Sequence, residues 1–497
     1  MSIDTLAYRG NNFIGGKDTL AQGGTTFLST DPLTGGVWGE FAQSDARDVD
    51  IAVADAHAAF EGPWQRLSAI ARGRLLMRWG DVIATHGDRI AALDTAQNGK
   101  LLVEVRAQAR AARDWLYYFG GLADKVQGSV IPLESASILN YTAYDALGVI
   151  GTIVPWNGPI FLTIMSVAPA LAAGNTVVVK PSEITSASAI ELARLAIEAG
   201  LPPGVVNVVT GARETGEALV DHPLVRRVIF TGGDVAGRAI AARAGGRLIG
   251  CTLELGGKSP NIVFADADRD QALAGVLAGI FAGAGQGCLA GSRAYVHASI
   301  FEDFVERLVE RANAIRIGSP FDPQTQMGPI ATRGHLDKIH GMVQRAVAAG
   351  ATLRCGGRTA DVEGLPQGCF YRPTILAGAG TDSELMRDEV FGPVLAITPF
   401  SHLDEVLRLA NDTRFGLAAG LWTTNLRTAH RSAKALRAGT VWINTYRAIA
   451  PASPFGGMKD SGLGRQNGIE SIYQYMQVKS VWCELDEAIA DPFLMKV

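Results

Sequence analysis

VIGTIVPWNGPIFLTIMSVAPALAAGNTVVVKPSE, residues 149–183, opens the stretch of the chain that decides its fold. Short runs rich in Val and Ile alternate here with longer runs of apolar and small residues, as strands alternate with helices. The alternation continues to residue 257 and predicts five strands, VIGTIVPW, TVVVKP, VVNVVTG, RRVIFTGG and CTLELGG. Because strands linked by helical crossovers form a parallel, doubly wound sheet, this stretch has a dinucleotide-binding architecture.

The rest of the chain is organised around this stretch. Residues 50–125 carry apolar residues at spacings of three and four, which predicts helices that flank the sheet. A second α/β series begins at NIVFAD and runs to about residue 460. Two β-prone segments, ASILNYTAY near residue 140 and the tail SIYQYMQVKSVWCEL, lie outside both series. A chain of 497 residues is too long for one core, so we expect two or three domains.

Composition narrows the class of protein. The chain is 47% hydrophobic and 19% charged, with a net charge of -4, so it has no basic field for nucleic acid or anionic membrane. No secretory signal is evident at the N-terminus, and the apolar run LAGVLAGIFAGAGQGCLAGS reads as a buried helix, not as a membrane span. Five cysteines without CxxC spacing predict neither disulfides nor a metal site, and they fit a reducing cytoplasm.

One cysteine and one glutamate predict covalent chemistry. Cys288, in GQGCLAGSR, lies 34 residues after Glu254, in LELGGKSPN. A thiol nucleophile and a carboxylate base are the minimum needed to form a thioester and then hydrolyse it. Glu254 ends an apolar strand, where burial would raise its pKa towards that of a general base. Cys251, within the same strand, is the natural internal control.

Other motifs accompany this pair in a fixed order, namely PWNGP, KPSE, FTGGDVAG, EVFGPV and PFGGMKDSGLGR. Together they resemble the aldehyde dehydrogenase superfamily, NAD(P)-dependent enzymes that oxidise aldehydes to acids. The resemblance covers the chain from about residue 10 onward. It implies an NAD-binding domain of residues 1–125 and 147–256 and a catalytic domain of residues 257–465. A small β oligomerisation element of residues 126–146 and 466–497 would then build a homodimer or homotetramer.

The same resemblance implies a role for individual residues. The amide of Asn157 and the backbone N–H of Cys288 would form an oxyanion hole for the aldehyde oxygen. Glu183 would bind the adenosine ribose and repel a 2′-phosphate, which favours NAD over NADP. The FTGGDVAG turn would face the pyrophosphate, although GARETG at 211–216 is a decoy with a similar glycine spacing. The full set implied for the cofactor is Trp156, Lys180, Glu183, Gly232, Gly233, Gly237, Leu255, Gly256, Glu389 and Phe391.

The expected reaction passes through a thiohemiacetal on Cys288, transfer of hydride to the nicotinamide, and hydrolysis of the thioester by water that Glu254 activates. No metal is required. A CoA-acylating enzyme is the first alternative, and Glu254 argues against it. A catalytically silent protein with the same fold is the second, and the presence of Cys288, Asn157, Glu254 and Glu389 argues against that.

The resemblance also implies a substrate tunnel. The implied tunnel is apolar and favours medium-sized aliphatic or aromatic aldehydes; it is lined by Gly158, Leu162, Met165, Leu289, Ile449 and Phe455. Arg447, in NTYRAIAP, supports an alternative in which its guanidinium binds the carboxylate of a semialdehyde. No second basic residue is predicted in the lining, which favours the apolar interpretation. Two departures from the family pattern are Gln466 in place of an acidic residue and Asp145–Ala146 in place of Glu-Pro.

Overall fold

The structure of the protein, a computed structural model, describes residues 8–486 and residue 493. Its two large sheets contain eight and seven strands. The strands of the eight-stranded sheet are, in spatial order, Gly462–Leu463, Gly250–Glu254, Val225–Thr231, Val149–Val154, Thr176–Pro181, Val206–Val208, Asn12–Ile14 and Lys17–Thr19. The five strands predicted from residues 149–257 are its parallel centre, so that prediction is confirmed.

The order of these central strands creates a crevice. Val149–Val154 has two neighbours in the sheet. One is Thr176–Pro181, the next strand in the chain, and the other is Val225–Thr231, the third strand after Val149–Val154. The crossover direction therefore reverses beside Val149–Val154, and ligands of open parallel sheets bind at such a switch point, beyond the carboxyl ends of the strands. The helices that connect the central strands are Pro159–Ala172, Ala187–Glu198, Arg213–Asp221 and Asp234–Gly246.

The helices predicted before residue 125 flank this sheet. They are Ala46–Ala59, Ala69–Thr85, Gly87–Asn98 and Leu102–Leu122, with a short π-helical turn at Phe60–Trp64. The apolar pattern before residue 100 runs on without a break, but the helix stops at His86, whose ψ of 9° is not helical. None of the described helices is both long enough and apolar enough to cross a membrane.

The second α/β series forms the seven-stranded sheet. Its strands are, in spatial order, Thr352–Cys355, Thr374–Ala377, Val394–Phe400, Arg293–His297, Pro260–Val263, Ala418–Trp422 and Thr440–Ile443. All neighbours are parallel except the first pair. Its helices are Arg269–Phe281, Phe301–Asn313, Arg333–Ala348, Glu384–Arg387, Leu403–Asn411 and Leu426–Ala435.

Small sheets and turns complete the chain. The remaining strands are Tyr8–Gly10, Thr26–Thr30 and Val37–Ala42 in one sheet, Phe415–Gly416 and Met458–Lys459 in a second, and Val130–Ile131, Ile138–Ala146 and Met476–Glu484 in a third. The 3₁₀ turns are Ala282–Gly285, Ala298–Ile300 and Ile469–Tyr475.

The tail is paired along its whole strand. Met476–Glu484 runs antiparallel to Ile138–Ala146, with Trp482 opposite Asn140. Just before it, Gly462–Leu463 pairs with the end of Gly250–Glu254. The chain therefore crosses back to the eight-stranded sheet before residue 465, where we place the end of the catalytic domain. The three domains and their boundaries stay a proposal.

Candidate active site

A cavity opens at the carboxyl ends of the central strands. Val149–Val154, Val225–Thr231 and Gly250–Glu254 are parallel, so the residues that follow each strand meet at one edge of the sheet. The cavity has about 780 Å³ of empty space. Its lining joins these residues to others from the seven-stranded half, and includes Trp156, Asn157, Thr231, Gly232, Gly233, Glu254, Leu255, Gly256, Cys288, His335, Lys338, Glu389 and Phe391.

Cys288 is partly buried at the wall of this cavity. It follows the turn Ala282–Gly285, in which three successive residues have positive φ, so the chain leaves the preceding helix sharply. Its carbonyl oxygen would lie 2.7 Å from a Cβ on Gly257, so only glycine permits this approach. Burial raises the pKa of the thiol to about 12; the charges of Glu389 and Glu254 act in the same direction and Arg447 opposes them.

Glu254 is almost fully buried at the end of its strand. Neither of its carboxylate oxygens accepts a hydrogen bond from the residues that the structure describes. Burial therefore raises the pKa of Glu254 well above its usual value, while the charge of Arg465 lowers it. A carboxyl group in this state takes up a proton far more readily than an exposed one, as a general base must.

Asn157 lies in the loop after Val149–Val154. Its Nδ2 donates one hydrogen bond to the carbonyl of Gln286, 3.1 Å away, two residues before Cys288. The second N–H of the amide remains available to a ligand. The backbone of this loop is held from a third segment, because Asn98 Nδ2 donates to the Trp156 carbonyl at 3.0 Å and Lys100 Nζ donates to the Asn157 carbonyl.

Glu389 and Phe391 reach the cavity from the other side. Glu389 Oε1 accepts from the Gly257 N–H at 3.0 Å, and a Cβ on Gly256 would lie 2.4 Å from Glu389 Oε2. Burial raises the pKa of Glu389 to about 7. Phe391 has a φ of 56°, and its ring meets Trp156 edge-on at 5.4 Å. His335 Nε2 contacts the Phe391 carbonyl at 2.7 Å, which holds the strained residue in place.

A second cleft continues from the first and carries Lys180 and Glu183. Gly233 lines both cavities and is the N-cap of helix Asp234–Gly246, so backbone N–H groups and the positive end of the helix face their junction. Lys180 is buried and its Nζ lies 3.7 Å from Glu183 Oε2, while the Glu183 side chain is 52% exposed. Burial lowers the pKa of Lys180.

Two of the predicted glycines have packing contacts. A Cβ on Gly237 would lie 2.5 Å from Leu255 Cδ2, so the helix is seated directly on Leu255. A Cβ on Gly232 would lie 2.4 Å from the ring of Phe230, although Gly232 also lines the first cavity. The role that we predict for Gly237 in cofactor binding stays a prediction; its contact in the structure is with Leu255.

A third cavity, with about 1030 Å³ of empty space, shares Asn157, Leu162 and Cys288 with the first. All six residues predicted for the substrate tunnel line it, together with Lys100, Gln108, Trp115, Phe161 and Arg447. The prediction that no second basic residue lies in the lining is wrong, because Lys100 comes from an earlier helix end that the sequence does not place. Arg447 has a φ of 64° and donates to the carbonyls of Ala278 and Ala282.

Gln466, the departure from the acidic pattern, is fully buried. Its Nε2 donates to Ser166 Oγ at 3.2 Å, and its backbone exchanges two hydrogen bonds with Phe455. It therefore supports the wall of the substrate cavity.

Several residues that line the cavities are not predicted from the sequence. His335 and Lys338 are three residues apart on helix Arg333–Ala348, and Gln108 and Trp115 share a face of helix Leu102–Leu122. Their helical spacing is a signal, but it does not tell which face meets the site.

Comparisons with known proteins place nearly the whole chain in one family. Residues 19–481 match the sequence profile of the aldehyde dehydrogenase family. The chain is 42% identical over 488 residues to (Z)-2-((N-methylformamido)methylene)-5-hydroxybutyrolactone dehydrogenase of Acinetobacter baylyi, covering 97% of this chain and 99% of that protein. It is 42% identical to betaine aldehyde dehydrogenase of Brucella anthropi, covering 96% and 98%. The crystal structure of PnpE in complex with nicotinamide adenine dinucleotide has a TM-score of 0.95 at 41% identity, covering 97% and 99%.

Proposed function

The chain belongs to the aldehyde dehydrogenase family, and from that premise we propose that it oxidises an aldehyde to the carboxylic acid through a thioester on Cys288, with NAD as cofactor. The observation that carries the proposal is the position of Cys288 and Asn157, which line both the nucleotide-type cavity and the apolar substrate cavity. An aldehyde carbon held by this thiol would face both spaces, as transfer of a hydride from substrate to cofactor requires.

The fit to a dinucleotide rests on the two joined clefts. Lys180 and Glu183 would hold the adenosine ribose, Gly232 and Gly233 would face the pyrophosphate, and Glu389 would bind the nicotinamide ribose. Trp156, Leu255, Gly256 and Phe391 complete that surface in the proposal. When bound, NAD supplies the acceptor for the hydride that leaves the substrate carbon.

The protein's own residues account for the remaining steps. Cys288 first loses its proton to solvent, because only the thiolate is an effective nucleophile. The sulfur then bonds to the aldehyde carbon, and the electron pair of the carbonyl π bond passes to the oxygen. The free N–H of Asn157 and the Cys288 backbone N–H would stabilise the oxygen as its charge develops. Once the carbon has lost hydride, Glu254 takes a proton from water, and the hydroxide displaces Cys288 from the thioester. The products are the carboxylic acid and the free enzyme.

Replacing Cys288 with Ala tests the proposal. We expect aldehyde-dependent NADH formation to fall to background while NAD affinity, measured by calorimetry, stays within about twofold, because the thiol acts in covalent chemistry. Cys251→Ala is the matched control, since Cys251 is also a partly buried thiol whose pKa burial raises. An equal loss in a folded Cys251→Ala variant, or normal turnover in Cys288→Ala, would contradict the assignment.

Two substrate classes have support from the third cavity. Met165, Phe161, Trp115 and Phe455 give it an apolar wall, which favours medium-sized aliphatic or aromatic aldehydes. An aldehyde with a carboxylate is the second candidate, because Arg447 and Lys100 both line the cavity and neither has a carboxylate within ion-pair distance in the part of the chain that the structure describes.

Substrate comparison separates these classes. If the cavity serves apolar aldehydes, hexanal and benzaldehyde have higher kcat/KM than succinic semialdehyde, and Arg447→Ala changes that order little. If Arg447 binds a carboxylate, the wild type prefers the semialdehyde and Arg447→Ala loses about 10-fold to 100-fold of that preference, the value of one charge-assisted contact. The ratio of kcat/KM values in the two proteins is the measurement.

A further inference from the structure

Three side chains of residues 98–104 connect two loops of the active site. This segment, which we name the brace, joins helix Gly87–Asn98 to helix Leu102–Leu122. Asn98 Nδ2 donates to the carbonyl of Trp156, and Lys100 Nζ donates to the next carbonyl, that of Asn157. The backbone N–H of Lys100 is itself bound to Asn98 Oδ1 at 2.9 Å. Two successive peptide groups of the Asn157 loop are therefore fixed by the brace.

The other end of the brace holds the loop of the nucleophile. Glu104 Oε1 accepts from the backbone N–H of Gly283 at 3.0 Å. Gly283 has a φ of 63° and lies in the turn that leads to Cys288. Asn157 Nδ2 links the two loops directly, because it donates to the carbonyl of Gln286, in the same loop as Gly283 and Cys288. Asn157 and Cys288 come from different sheets, and one short segment contacts the backbone near both.

The two charged residues of the brace, Lys100 and Glu104, are not a solvent-exposed ion pair. Lys100 lies at the substrate cavity, and burial lowers its pKa, whereas the charge of Glu104 raises it. Glu104 Oε2 is buried and accepts no hydrogen bond from the described residues. Burying charged groups with incomplete partners costs stability, so a hydrophobic pair would serve a purely structural contact better.

We propose that Lys100 and Glu104 are positioning residues that hold the two donors of the oxyanion hole, the Asn157 amide and the Cys288 backbone N–H, at the spacing that the aldehyde oxygen requires. This inference rests on the proposed function. Donors of an oxyanion hole act only when they are fixed in advance, and a displacement of 1 Å is costly.

Lys100→Met and Glu104→Met, which remove the donor to the Asn157 carbonyl and the acceptor for the Gly283 N–H, test the inference when assayed with NAD and the uncharged substrate hexanal. We expect kcat to fall about 10-fold to 100-fold, with KM for NAD nearly unchanged. The second readout is the rate at which iodoacetamide alkylates Cys288, followed on the Cys288 peptide by mass spectrometry. Alkylation forms no oxyanion, so it should change less than about threefold. Lys100→Arg should recover part of the lost kcat, because it restores a donor.

Arg106→Met is the matched control, since Arg106 lies on the same helix in an exposed pair with Asp88 at 2.8 Å. Unchanged kcat in Lys100→Met and Glu104→Met would overturn the inference, as would an equal loss in Arg106→Met or an equal loss in the alkylation rate. If Lys100→Met does not fold, Glu104→Met decides, because it removes the acceptor for the Gly283 N–H. Activity in Cys288→Ala would instead refute the proposed function, whereas an inactive Cys288→Ala beside a fully active Lys100→Met would refute this inference alone.

Discussion

Glu254 and Cys288 illustrate how individual residues acquire reactivity from their surroundings. Glu254 is buried and Cys288 is partly buried, and burial raises the pKa of both groups. The negative charge of Glu254 also raises the pKa of Cys288, because like charges in a low-dielectric cavity repel. The site therefore favours a state in which the pair carries one negative charge at most, and the carboxylate gains basicity that an exposed glutamate lacks.

Glu254→Gln should separate the two halves of the reaction. Gln keeps the shape of the side chain but cannot accept a proton from water, so the thioester persists after hydride transfer. Rapid mixing should give up to one NADH per active site, followed by turnover about 10²-fold to 10⁴-fold slower than in the wild type. Normal steady-state turnover would remove Glu254 from the mechanism.

The raised pKa of Glu254 determines how the turnover of the wild-type enzyme changes with pH. Glu254 acts as a base only when it is deprotonated, and its pKa is raised. Hydrolysis of the thioester should therefore decline as pH falls through that raised pKa, at a higher pH than an exposed carboxylate would give. Glu254→Gln should not show this decline at low pH. The measurement is the steady-state rate as a function of pH in both proteins.

Strand ends and helix faces differ in how far the sequence reveals them. Asn157, Lys180, Gly232 and Glu254 each lie at or just beyond the carboxyl end of a predicted parallel strand, so their position at one edge of the sheet could be predicted from the alternation of apolar runs alone. Lys100 and His335 could not be placed, since helix orientation depends on tertiary packing. Gly256 carries a contact of the same hidden kind: its φ is not positive, and its small size permits the close approach of Glu389, which comes from a distant part of the chain.

The loop after Thr176–Pro181 should set cofactor choice. The exposed carboxylate of Glu183 can accept hydrogen bonds from ribose hydroxyls and would repel a 2′-phosphate. Glu183→Ser should lower the ratio of kcat/KM for NAD to that for NADP by at least about tenfold, since a charge-assisted contact is lost and a repulsion is relieved. A ratio that stays constant, or a wild-type preference for NADP, would indicate that Lys180 or Arg213 dominates the cleft.

At the scale of the whole molecule, the sheet of Val130–Ile131, Ile138–Ala146 and Met476–Glu484 is the expected contact between subunits. Val478 and Trp482 lie four residues apart on one face of the tail strand and are 59% and 61% exposed. An apolar face of this kind marks an interaction surface. Replacing both residues with Asp should shift the protein towards monomers in analytical ultracentrifugation. Lys479→Gln, on the opposite face, should leave the mass unchanged; an equal shift there, or none in the double variant, would contradict the assignment.

The return of Gly462–Leu463 to the eight-stranded sheet has a consequence for biosynthesis. The strand that ends in Glu254 obtains its outer neighbour only from residues about 200 positions further along the chain. At about 5–20 residues per second, a ribosome needs about 10–40 s to make that neighbour. During this interval the nascent polypeptide exposes an unpaired edge, the kind of surface on which chains aggregate. The strand that carries Glu254 is thus among the last parts of the active site to gain all its hydrogen-bonded neighbours. The fraction of nascent chains bound by chaperones should therefore be greatest just before residue 462 emerges from the ribosome.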